Sequence, residues 1–198
     1  DPVLRTVLPS SGSVTVNGSG ILDVAGYSIS NAITANSSGG VIRSSVFGGA
    51  ITGGITLAGY YVNLSAASGA NLTVGTAAIS GTGSAALIIG SVTDVGTVIL
   101  SGANTFIGSV TVNGGTLAIT NSSGLGTTAA GTTIASGATL DLQNVAVLAE
   151  AITINGGTLA TSTGTSSLSG TISLGASGST ISVAGVELTL SGVISGSN

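Results

Sequence analysis

Val110-Thr111-Val112-Asn113-Gly114-Gly115-Thr116-Leu117 and Ile152-Thr153-Ile154-Asn155-Gly156-Gly157-Thr158-Leu159 repeat one pattern. In each, an aliphatic, a small polar and a second aliphatic residue lead into Asn-Gly-Gly. Alternation with a period of two puts one set of side chains in a core and the other in solvent, which describes a strand of three or four residues. The Asn-Gly step then turns the chain, because glycine takes φ > 0 freely and asparagine tolerates it. Asn17-Gly18 reads as the same corner. Outward from these stretches the triplet recurs. Toward the N-terminus lie Val14-Thr15-Val16, Leu22-Asp23-Val24, Ile55-Thr56-Leu57 and Leu72-Thr73-Val74. Toward the C-terminus lie Leu140-Asp141-Leu142, Ile172-Ser173-Leu174, Ile181-Ser182-Val183 and Leu188-Thr189-Leu190. No helical stripe survives so many Gly and β-branched residues, so helix content is expected to be close to nil.

The strands recur at a coil-sized interval. Landmarks fall at Val14, Ile33, Ile55, Ile79 and Val98, then at Thr133, Ile152, Ile172 and Val193, with Val110 inside one irregular step. A period of about 20 residues marks a stacked solenoid; a sandwich gives turn signals every 8–12 or so and pairs antiparallel. The expected fold is therefore all-β, a parallel β-helix of about nine coils, roughly 40–45 Å long at ~4.8 Å per coil. Residues 1–198 form a single repeat array, with 1–11 as an N-terminal cap or linker, and the array reads as a segment of a longer chain. One coil buries some five aliphatics at about 2 kcal/mol each. Ordering its backbone costs at least ~20 kcal/mol. A lone coil does not fold, and stacking is the only source of stability.

Composition removes whole classes of function. The 198 residues include two cations, six anions and no Lys, His, Cys, Met or Trp. With no basic footprint, nucleic acid is not a partner. Without Cys there is no disulfide framework and no thiolate metal site. No apolar run approaches the ~18 residues that span a bilayer, so direct membrane insertion is not expected.

Residues 100–117 carry a family resemblance. Leu100-Ser101-Gly102-Ala103-Asn104-Thr105-Phe106-Ile107-Gly108, followed by Val110-Thr111-Val112-Asn113-Gly114-Gly115-Thr116-Leu117, resembles the autotransporter-associated β-strand repeat of bacterial surface proteins. Residues 132–142, 152–159 and 188–196 look like continuations of it. The match is strongest over about 91–144. It departs from the family at Asp94, where Lys is common. The resemblance implies a right-handed β-helix of passenger type, extracellular or at the bacterial cell surface, with a structural or adhesive role. It also implies that Phe106 packs beneath a coil corner.

No catalytic, cofactor-binding or metal-binding residue is identified. A serine nucleophile has no His or Lys to activate it. Asp23 and Asp141 read as solvated outward positions several coils apart, too far for acid–base pairing. Asp94 reads as a turn residue, and Glu150 and Glu187 as surface residues. Three binding readings remain. Near-absence of charge and open end coils favour head-to-tail stacking of the chain with itself into a filament. An alternative is a glycan-binding module using the Tyr60/Tyr61 region, with Tyr27 and Phe47 earlier in the chain, directed at surface glycans or at host or neighbour cell surfaces. The third is ice binding by an outward column of Thr15, Thr34, Thr56, Thr111, Thr153 and Ser173, although this column is single where ice-binding ladders are doubled.

Overall fold

The computed structural model describes residues 3–4, 11–36, 38–59 and 61–196. All regular structure among them is β, and every strand pairing is parallel. The chain winds as a solenoid of about eight turns at a spacing of about 22 residues, close to the nine coils of about 20 expected. Register steps on the longest face run from 18 residues, Val3 to Ile21, up to 25, Val62 to Leu87.

Each coil has three sides. The first is a ten-stranded sheet running from Val3–Leu4 to Ile194–Ser195, and the second an eight-stranded sheet from Ser28–Ile29 to Thr180–Val183. The third side is split. A four-stranded sheet, Ser13–Val16, Ala32–Ala35, Ile55–Leu57 and Ile79–Gly81, covers the early coils, and a three-stranded sheet, Ala146–Val147, Thr165–Leu168 and Glu187–Leu190, covers the late ones. Between them, 101–109 and 120–131 cross the third side without a strand.

This split explains the irregular step in the sequence landmarks. Val14, Ile33, Ile55 and Ile79 are direct register partners on the third side. Val98 lies on the second side, and Ile152 and Ile172 are partners on the first. The series changes sides where the third-side strand disappears. The corner assignments need a similar correction. Asn113-Gly114 and Asn155-Gly156 turn from the first side to the second, whereas Asn17-Gly18 turns from the third to the first.

Burial follows the alternation. Ile42, Leu64, Leu87, Val110, Ile134, Ile152 and Ile172 line the axis from the first side, and Ile51, Leu72, Val98, Leu117, Leu140 and Leu159 from the second. At about 25 cal/mol per Å² of apolar surface removed from water, this column is the dominant stabilising term. Val3–Leu4 joins the first sheet beside Ile21–Leu22. Of the rest of the expected cap or linker, Ser11 is described, and 1–2 and 5–10 lie outside the described residues.

Where the third side lacks a strand, one asparagine supplies the missing ladder. Asn104, itself buried, accepts from the Ile79 amide through Oδ1 (2.8 Å) and donates through Nδ2 to the Gly124 carbonyl (2.7 Å). The Thr105 amide donates to the Ile79 carbonyl (2.9 Å), and the Thr127 amide to the Phe106 carbonyl (3.0 Å). Phe106 is fully buried and fills the space that strand side chains occupy elsewhere. Its ring lies so close under Gly126 (φ +83°) that a β-carbon there would sit 2.9 Å from Cε2 and Cζ, so residue 126 must be glycine. The Asn-Thr-Phe core of the repeat is thus a plug that takes the place of one strand and supplies partners to Ile79 and Gly124.

Candidate functional site

Three acidic side chains, Asp23, Asp141 and Glu150, are placed differently from the sequence expectation. Asp23 points outward from the first sheet yet is buried. Its Oδ1 accepts from the Ala25 amide (3.0 Å) and the Ser45 amide (3.1 Å), and Oδ2 faces Arg43 Nε at 3.3 Å. Burial alone would raise its carboxyl. The Ser45 hydroxyl and amide, the Ala25 amide and the Arg43 guanidinium outweigh burial and hold it below the ordinary value. Asp141 is also buried rather than solvated: Gln143 Nε2 (2.7 Å), the Ser162 amide (2.8 Å) and Ser162 Oγ (2.6 Å) enclose it. Both corrections share a cause, since the turn of the next coil folds over each outward carboxylate and saturates it. The two acids stand on different sheets and form no pair.

Glu150 is a third correction. It is buried rather than on the surface, with Thr132 Oγ1 donating to Oε1 at 2.7 Å. Burial pushes its carboxyl above the ordinary value, opposed only by that hydrogen bond. Glu187 is exposed, as expected. Asp94 does sit in a turn. Its amide binds Ser91 Oγ (2.9 Å), and its Oδ2 accepts from Ser65 Oγ (2.8 Å) and lies 3.9 Å from Arg43 Nη1. Asp23, Arg43 and Asp94 therefore gather at one corner, drawn from turns up to 71 residues apart. Sequence reading missed this cluster, because only the coil register brings 23, 43 and 65 into one column.

The aromatic residues do not form one platform. Tyr60 lies outside the described residues. Tyr61 opens the strand Tyr61–Ala66, and its hydroxyl lies over Gly39. Tyr27 and Phe47 lie at the opposite end of that sheet, in the corner that holds Asp23 and Arg43. The expected Thr/Ser column also divides. Thr15, Thr34 and Thr56 are register partners on the third side, whereas Thr111, Thr153 and Ser173 run up the first side with Thr133 between. A column of threonine alone, Thr97, Thr116, Thr139, Thr158 and Thr180, lies on the second side at the first position of each strand. Its members begin strands rather than sit inside the aliphatic–Thr–aliphatic triplet, so the triplet search passed over them.

Among the described residues no three His, Cys, Asp or Glu side chains are placed to hold a metal, and no helix is long and apolar enough to cross a membrane. An open concavity of about 520 Å³ along residues 14–22 is lined without a titratable side chain.

With this geometry in place, comparison with known families is informative over one segment. Residues 92–119 match the passenger-associated-transport-repeat family model, which agrees with the resemblance read from 100–117 and with the solenoid. The match takes in 28 of 198 residues, including the Asn104–Phe106 plug. No curated protein and no solved structure matches the chain. The repeat and the stacked coils fit a structural domain of passenger type.

Proposed function

We propose that the chain is a non-enzymatic, extracellular β-solenoid rod whose coils carry load and spacing, and whose ends associate head to tail with further copies. The ladders carry the reading: coils stack by a parallel pairing that a further coil, of this array or of another copy, can extend. In the last described coil, residues of core character stand open. Ile181 is 37 % and Val183 53 % exposed, while their register partners Leu159 and Thr161 are fully buried. Ile194 is open above a buried Ile172, and Leu188 and Leu190 are half-buried above buried Ser166 and Leu168.

The opposite end offers matching edges among the described residues. Val3–Leu4, Ser28–Ile29 and Ser13–Val16 stand at the ends of the first, second and third sides, facing away from the stack. Copies joined this way extend all three ladders by the parallel pairing already used inside the molecule. Such a contact is heterologous and does not close, so it yields a filament. The exposed last coil carries Glu187 as its only charged side chain, so docking there meets little like-charge repulsion.

Sedimentation velocity from micromolar to millimolar concentration tests this. The wild-type chain forms linear oligomers that lengthen with concentration, and Val183→Lys with Ile194→Lys abolishes them without unfolding the rod. A wild-type chain that stays monomeric at millimolar concentration overturns the reading.

A further inference from the structure

Five of the large apolar side chains left in solvent lie along one edge of the rod, where the first side turns into the second. They are Tyr27, Val46, Phe47, Val92 and Val95, with Phe47 83 % and Tyr27 64 % exposed. Tyr27 and Phe47 are on adjacent coils, and the Phe47 ring reaches over Gly26, its Cδ2 4.0 Å from where a β-carbon on that glycine would be. Two rings in solvent are a large share of a chain with five aromatics.

The turns that present them are strained and specifically held. Ala25 (φ +44°) and Phe47 (φ +49°) adopt the left-handed region that residues with a β-carbon avoid. Both turns hang on one buried carboxylate, since Asp23 accepts the Ala25 amide of one and the Ser45 amide of the other. Along the same edge, Arg43 and Asp94 are partly open, at 26 % and 19 % side-chain exposure. Among the described residues, Arg43 Nη2 and Asp94 Oδ1 make no hydrogen bond, so a donor and an acceptor stand unused on the edge that carries the two rings.

We infer that this corner binds a neutral glycan, with a pyranose C–H face stacked on Tyr27 and Phe47 and ring hydroxyls bridging Arg43 and Asp94. A hydroxyl both donates and accepts, which matches a guanidinium N–H beside a carboxylate oxygen. Aromatic faces bury large apolar area at low entropic cost and attract polarised C–H groups. The chain carries a net charge of −4, and among the described residues Asp23 and Asp94 flank Arg43, which disfavours sialylated or sulfated chains. Tyr27 adjoins the Ser28–Ile29 edge of the proposed head-to-tail contact, so sugar binding is measured on the dilute monomer, where the corner is open and the two readings separate.

The test is an array of neutral gluco-, galacto- and manno-configured oligosaccharides with their sialylated counterparts, followed by calorimetric titration of any sugar bound. The wild-type chain binds at least one neutral oligosaccharide and ignores its sialylated form. Tyr27→Ala and Phe47→Ala each weaken binding by about tenfold or more, the scale of a truncated anchor. Phe47→Trp retains binding, and Tyr61→Ala leaves it unchanged. Thermal unfolding of Phe47→Ala stays at the wild-type value, since the ring is solvent-facing. No binding of any neutral sugar at millimolar concentration, or full binding by the Tyr27→Ala/Phe47→Ala double variant, overturns the inference. So does a silent array together with self-association that this double variant abolishes, which would make the edge a protein contact.

Discussion

The strands Thr158–Thr161 and Thr180–Val183 are in-register neighbours on one sheet, with the same alternation and opposite fates. Leu159 has coils on both sides and no exposure; Ile181 has a coil on one side only and is 37 % exposed. Local sequence does not distinguish them. The difference teaches that burial in a solenoid belongs to the pair of neighbouring coils, as nearest-neighbour stabilisation requires. A residue's energetic weight follows from what lies above and below it.

Substitution at the two positions breaks or confirms this. Leu159→Ala is expected to cost about 2–5 kcal/mol, because it opens a cavity in a filled column. Ile181→Ala in the monomer is expected to cost about 1 kcal/mol or less, since its side chain is already partly in water. Denaturant titration of dilute samples measures both, and equal losses would remove the distinction. The strandless side sharpens it. Asn104→Ala leaves the Ile79 amide and the Gly124 carbonyl without partners, an expected loss of about 2–4 kcal/mol. Asn104→Leu is expected to give no recovery, because the deficit is in hydrogen bonds rather than volume.

Two pH effects of opposite sign are smaller. The folded Asp23 carboxyl lies below its ordinary 3.8, so its stabilisation is complete above that value and is lost as pH falls through the folded pKa. Asp23→Asn is therefore expected to lose about 1–3 kcal/mol at neutral pH, through weakened charge-assisted bonds, and to flatten the acid limb of the stability curve. Glu150 lies above its ordinary 4.5, so its contribution is complete below 4.5 and is lost as pH rises through the folded value. Glu150→Gln is expected to match or exceed wild-type stability at neutral pH and to lose that advantage below pH 4.5. Unfolding midpoints taken across pH 3–8 or so separate the two.

Much of the fold was legible because it is written locally. Val14-Thr15-Val16 and Val110-Thr111-Val112 announce strands within three residues, and Val14, Ile33, Ile55 and Ile79 stand at the spacing of one ladder. What failed was set by the neighbouring coil. Asp23 looks solvated until the turn of Ser45, one coil later, folds over it. Glu150 looks like a surface residue until Thr132, eighteen residues earlier, donates to it. The corner of Tyr27 and Phe47 was not found as a pair because positive φ at Ala25 and Phe47 leaves no sequence mark of the kind glycine leaves. The Asn104–Phe106 motif was recognised as a pattern, but its part as a strand substitute is visible only where Ile79 and Gly124 meet it.

Native-state hydrogen exchange on the dilute monomer tests the stacked-coil account most directly, because it reads stability coil by coil. The account predicts slow amides through the interior, at Leu87, Val110, Thr132 and Ile152. Protection should then fall steeply at Thr180, Ala184, Val186 and Ser191, although each of these donates to a carbonyl of the coil beneath. Protection that is uniform up to residue 191, or lowest in the matched segment 92–119, would contradict it.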